Sequence, residues 1–242
     1  MSNRYIGGFL TNSPVQPTTS SAVGIWTLTQ QSQAKGNAIW PTYSTGPTVI
    51  GQAFGGGFYA GQIGEGGVAT HYLIVGPVAS AQNASKQWKT TNTSTGVTSV
   101  IDGPTNSATM NNASHPAAQF CEGLTIGGFS DWYMPAKNEL DVCYFNLKPT
   151  TYASATGIGI NANAIPARAS NYTSVNPAQT SSADFKDTGT EDFSPNIYWS
   201  STEYTVSGAT GAGWVQNFGN GNQYNNTKTY SDRVRAIRRI AV

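Results

Sequence analysis

Between Trp214 and Arg233 the chain interleaves Asn217, Asn220, Asn222, Asn225 and Asn226 with Gln216, Gln223, Tyr224, Lys228 and Tyr230. Side-chain amides both donate and accept hydrogen bonds, and tyrosine offers flat apolar area with a polar tip at little entropic cost. This is recognition chemistry, suited to sugar hydroxyls or to a protein epitope. With Glu203 and Tyr204 just upstream, these residues form the candidate receptor-binding set. Asn and Gly also make tight turns between strands, so at this point both readings stand.

Catalytic chemistry has weaker support. A glycosidase needs two carboxyl groups facing each other across roughly 5 to 9.5 Å; Glu203 and Asp232 can be nominated, but nothing in their spacing selects them. His71 and His115 are the only histidines and no Gly-x-Ser-x-Gly elbow accompanies them, so both read as satisfied structural residues. Cys121 and Cys143 are too few for a disulfide scaffold and are not at metal-ligand spacing. They fit buried apolar positions, with a bridge between them possible. The acidic stretch Asp184, Asp187, Glu191 and Asp192 lacks the spacing of a calcium loop and reads as a solvated loop. Gly55, Gly57 and Ala60 match a dinucleotide-binding pattern superficially, without a clear strand before or a helix after them. No catalytic residue, metal site or cofactor is expected, and the chain reads as a non-enzyme.

Around these residues the composition is unusual: only 10% of positions are charged, against roughly 25% in ordinary soluble domains. A net charge of +1 gives a polyanion no footprint, so no nucleic-acid partner is expected. The one basic cluster, Arg233, Arg235, Arg238 and Arg239, lies in an alternating run that reads as a terminal strand with one solvated face. The opening has no apolar signal core, and no stretch approaches the roughly 18 to 20 apolar residues of a membrane span. Neither membrane insertion nor a secretion signal is expected. An extracellular role would then require assembly into a particle in a host cytoplasm and release by lysis.

The elements that must position the candidate set follow from pattern. Residues 1–50 are irregular and rich in Pro, Thr, Ser and Gln, with Trp26 and Trp40 as apolar islands; they read as an attachment or oligomerisation arm. Residues 51–242 read as one α+β domain. Within it, 71–77 is a buried strand, and 80–112 a long surface excursion anchored by Trp88. A helix is predicted over 116–122, stopped by Gly123. A second follows Pro135, with Ala136, Leu140, Cys143, Tyr144 and Leu147 on one face and Pro149 at its end. Residues 150–195 form a second insertion, and 198–204, 214–218 and 234–240 are strand-like.

The ordered set Phe129-Ser130-Asp131-Trp132-Tyr133-Met134-Pro135-Ala136-Lys137-Asn138-Glu139-Leu140, Tyr198-Trp199-Ser200-Ser201-Thr202-Glu203-Tyr204, Ala212-Gly213-Trp214-Val215-Gln216-Asn217-Phe218 and Arg233-Val234-Arg235-Ala236-Ile237-Arg238 resembles the C-type-lectin-like C-terminal domain of bacteriophage adhesins and collagen-like bacterial surface adhesins. The resemblance covers about 55–242. It implies two helices packed on small antiparallel sheets with long loops, and Trp132, Trp199 and Trp214 as core anchors. It also implies binding through the C-terminal segment, which is the variable region in adhesins diversified by retroelements. Ile6-Gly7-Gly8-Phe9 and Gly24-Ile25-Trp26-Thr27-Leu28 look like the opening of phage structural proteins. Together these suggest a virion fibre or adhesin at the tail or another exposed position. A homotrimer is expected, joined to other virion proteins by the arm and binding a host-surface glycan or protein. The alternatives are a passive decoration or joining protein, and an oxidase of the formylglycine-generating type. The latter uses neighbouring cysteines near the C-terminus, a place where this chain has none.

Overall fold

The computed structural model describes residues 46–242 and a few positions between 27 and 33. Apart from those few positions and its last residues, the expected arm over 1–50, with Trp26 and Trp40, lies outside the described residues. The compact unit begins at Pro47 and runs to Val242. In chain order it contains β1 (Ala53–Phe54), β2 (Gly57–Glu65), β3 (Val68–Val75), α1 (Val78–Ala81), β4 (Gln82–Gln87), α2 (Gly103–Thr109), α3 (Pro116–Glu122) and α4 (Lys137–Leu147). There follow β5 (Ala164–Ile165), β6 (Ile197–Tyr204), β7 (Ala212–Asn217), β8 (Gln223–Thr227), β9 (Ser231–Arg235) and β10 (Ile237–Ala241).

The architecture is mixed α+β, built on two sheets. One has the order β1-β2-β3-β10, with β5 added to β2; the other has the order β4-β9-β6-β7-β8. Pairing is antiparallel except between β6 and β9, which run parallel through Tyr198 and Arg233. That departs from the all-antiparallel sheets expected. The glycine-rich run from Gly57, which gave no strand signal, is an inner strand of the first sheet. A side chain at Gly57 would strike the Val75 carbonyl. Gly61, at φ +128°, sits at a register shift and lets α4 come close enough for Asn146 Nδ2 to donate to the Ala60 carbonyl at 2.7 Å.

Both helices expected from pattern form. Pro116 begins α3 and Gly123 caps it. In α4 the predicted face is buried, and Glu139 reaches back to accept from the Ala136 N–H at 2.7 Å, closing the first turn. The expected excursion over 80–112 is more ordered than its polarity suggested. It contains β4 and α2, whose start is capped by Asp102 accepting from the Thr105 N–H, and the buried Trp88 donates to the Ser200 carbonyl at 2.8 Å. The insertion over 150–195 is mostly irregular, as expected. Its tether is the buried Lys148, whose ammonium donates to the carbonyls of Tyr152 and Pro177 and to Ser154 Oγ.

Two apolar clusters share the middle of the unit. One joins Leu73, Val75, Leu140, Cys143, Tyr144, Phe193, Phe218 and Ile237; the other joins Ile74, Trp88, Cys121, Trp132, Trp199, Val215 and Val234. Successive residues of β3 therefore face different clusters, so the first sheet is packed on both faces there. Cys121 and Cys143 fall in different clusters and both are free thiols, so the bridge left open by the sequence is not formed.

The C-terminal run is not one strand with a solvated face. At Ala236 it leaves the second sheet and enters the first, with the Ala236 N–H on the Ala81 carbonyl and its own carbonyl accepting from Gly76. Three of its four arginines are paired within the molecule. Arg235 pairs with Glu191 at 3.0 Å, Arg238 holds Asp131 through two bonds of 2.7 and 2.9 Å, and Arg239 pairs with Glu139 at 2.7 Å. The acidic stretch is corrected with them. Glu191 also accepts from the Val78 N–H at 2.7 Å, so this part of the stretch is a clasp rather than a solvated loop.

Candidate functional site

Three residues of the expected receptor-binding set are internal. Glu203, Lys228 and Gln216 are 1%, 0% and 0% exposed and cannot contact a receptor from these positions. The carboxylate of Glu203 accepts from the Thr95 and Gly96 N–H groups and from Ser94 Oγ, and is ion-paired with Lys228. The Lys228 ammonium also donates to the carbonyls of Thr93 and Thr210 and lies 4.7 Å from the Trp88 ring centre. Burial pushes the Glu203 carboxyl up, but Lys228 and the two backbone N–H groups outweigh it and hold the group below its ordinary value. This is a clamp on the loop before α2, with no free carboxylate for the catalytic role once nominated for Glu203. Gln216 donates to the Gly221 carbonyl at 2.6 Å and closes the β7–β8 hairpin from inside.

The turn of that hairpin carries Asn217, Asn220 and Asn222. Asn217 Oδ1 accepts from the Gly219 N–H at 2.7 Å and Asn220 Oδ1 from the Asn222 N–H at 3.1 Å. Here the turn-making reading of the asparagines holds for two of the three side chains. Beyond the turn, β8 alternates. Asn225 lies opposite Trp214 and Gln223 opposite Gln216 on one face, while Tyr224 lies opposite Val215 and Asn226 opposite Gly213 on the other. The second face turns inward: Tyr224 packs on the Trp88–Trp199 cluster and Asn226 donates to Asp232 at 2.6 Å. Tyr230, 59% exposed, stands apart in the turn before β9.

What remains exposed of the first face is compact. Trp132 and Trp199 are buried anchors, their indoles donating to the carbonyls of Phe129 and Lys86. Trp214 is not: it is half-buried, on the face of β7 opposite Val215, two residues before Gln216, where that same face is fully covered. Its ring meets Tyr204 edge-on, with centres 4.9 Å apart, and the Lys137 ammonium sits 4.8 Å from its centre. Gln223 donates to the Lys137 carbonyl at 3.2 Å, tying β8 to the start of α4. Burial lowers the Lys137 pKa from its usual value. Tyr204, Trp214, Gln223, Asn225 and Lys137 thus form one aromatic and amide surface with a single cation at its edge.

Sequence reasoning missed Lys137 altogether and assigned Trp214 to the core. Both phases of the alternation in β7 pack on the core, with Gln216 as buried as Val215, so the sequence carried no signal for the exposure of the tryptophan. Of the two histidines, His115 is structural. His115 bonds Asn112 Oδ1 and Thr95 Oγ1 and stacks edge-on with Trp88. Among the described residues no group of three or more His, Cys, Asp or Glu side chains could hold a metal ion.

A family model of the Lcl C-terminal domain matches residues 81–238, a span that takes in every element from β4 to β9 and both faces of the β7–β8 hairpin. No curated protein matches the chain. The match covers well over half of the sequence and agrees with the adhesin-like ordered motifs around Trp132, Trp199, Trp214 and Arg233. The chain belongs to the Lcl C-terminal domain family.

Proposed function

We propose that this chain is a bacteriophage virion fibre or adhesin and that it binds a host-surface glycan or protein through the Tyr204–Trp214 face. The observation that carries the reading is the half-buried Trp214, pinned between Tyr204 and Lys137 and bordered by Gln223 and Asn225. Pre-positioned aromatics ringed by adaptable amides bind with little ordering cost. In this reading the fold is a C-type-lectin-like variant, residues 1–50 attach the chain to other virion proteins, and three copies assemble about a common axis so that weak contacts add. The protein is assembled in the host cytoplasm and works at the tail or another exposed position, without catalysis or a cofactor. Burial pushes the thiols of Cys121 and Cys143 up and keeps them protonated, which does not favour the oxidase alternative.

The test compares host-cell binding by the full chain with that of a Trp214→Ala, Asn225→Ala double variant whose folding is checked by its melting curve. A loss of about thirtyfold or more, the scale of a central hot spot, supports the site. Equal binding by both removes it, and binding by neither favours a joining or decoration protein. Light scattering on the same samples reads the expected trimer directly.

A further inference from the structure

A concave site, distinct from the Trp214 face, lies on the other sheet. Ile63, Thr70, His71, Ile101 and Arg239 line a cleft of about 280 Å³, with the exposed Glu65 at its rim. That volume is just under the roughly 300 Å³ at which small-molecule sites begin, room for one ring rather than a chain.

Thr70 Oγ1 donates to the Ile63 carbonyl at 3.1 Å, so its contact with His71 Nδ1 at 3.0 Å requires it to accept, and Nδ1 carries the proton. The other ring nitrogen, Nε2, is then a bare acceptor with no partner among the described residues. On the facing strand, Arg239 gives Nε to Glu139 and Nη2 to the Ile101 carbonyl, while Nη1 donates to nothing among the described residues. The charge of Arg239 is balanced by the buried Glu139 behind it.

From this geometry we infer that the cleft binds a neutral ring bearing adjacent hydroxyls, such as a single saccharide residue or an inositol. One hydroxyl accepts from Arg239 Nη1 and its neighbour donates to His71 Nε2, while the half-buried Ile101 covers the C–H face. An anion meets the imidazole lone pair and the Glu65 carboxylate, and an ammonium meets Arg239, so neither fits as well as a group that donates and accepts together. The site is independent of the Trp214 face, which lies on the other sheet.

The experiment is a titration of the full chain with methyl β-galactopyranoside, methyl α-mannopyranoside and myo-inositol, read by saturation-transfer NMR and by the shift of the Ile101 methyl groups. Sodium acetate and sodium sulfate serve as anion controls. A saturable Ile101 shift with at least one polyol is expected at millimolar concentration. It should weaken about tenfold or more in His71→Phe, and the saturation transfer tied to it should vanish in Ile101→Trp, which fills the cleft. Trp214→Ala should leave it intact, which separates this site from the proposed receptor face. No saturable shift with any polyol, a shift with the anions alone, or an undiminished response in His71→Phe overturns the inference.

Discussion

Lys228 and Glu203 are 25 positions apart and share no repeat or motif, so their pairing was not legible in the sequence. Only the folded chain brings a loop carbonyl, a strand carboxylate and a hairpin lysine to one point. Removing one partner of such a buried pair strands the other charge, at a cost of about 3 to 5 kcal/mol. Lys228→Met is therefore expected to lower the unfolding free energy by that much, read from the shift of the urea midpoint at unchanged slope. Glu203→Gln in the same background should recover part of the loss, and a double-mutant cycle measures the coupling. His115 supplies the pH dependence. Burial first, then the charges of Lys89 and Lys228, outweigh Glu203 and lower its pKa to about 4 from 6.5. The unfolded chain takes up the proton first, so this contribution to stability is complete above 6.5 and is lost progressively as pH falls toward 4. Replacing it in His115→Gln should flatten the melting temperature across that window.

The elements were legible where punctuation and period agree. Pro116 with Gly123, and the apolar stripe from Ala136 to Leu147, bounded α3 and α4. Helix α2 was missed because its residues are poor helix formers, although Asp102 before Gly103-Pro104 is an N-terminal cap signal. Strand β2 was missed because its glycines look like a loop, whereas they are there to let neighbours approach. Gly61→Ala tests this: its new methyl group would overlap the Asn146 amide and come within 2.9 Å of Val142 Cγ1, in a backbone conformation L residues avoid. Overpacking of this kind costs about 1 to 3 kcal/mol, to be read as a lower unfolding midpoint with the α4–β2 contact loosened in amide exchange. The candidate site was legible as chemistry but not as a surface. Asn225 and Tyr224 are adjacent in sequence, yet the pleat of β8 sends one out and the other in.

At the scale of the whole unit, the C-terminal strands join what would otherwise be two separate sheets, because the chain crosses from β9 to β10 at Ala236. The two apolar clusters then cannot come apart independently. Far-ultraviolet circular dichroism and tryptophan fluorescence are expected to report one coincident transition; two separated transitions would contradict the shared core. Deleting residues 237–242 should abolish that transition rather than shift it, since it strips β3 of a partner and leaves Tyr133 without its bridge to Ile237. The alternating arginine run announced this closing strand, but its salt-bridge partners, Asp131, Glu139 and Glu191, are far away in sequence and carried no signal. The two long loops, finally, are each gathered around a lysine ammonium seated among oxygen atoms. A positive centre that belongs to the polymer cannot be leached by a chelator or diluted away in rainwater, and it arrives in its seat at full occupancy whatever ions the surrounding fluid contains.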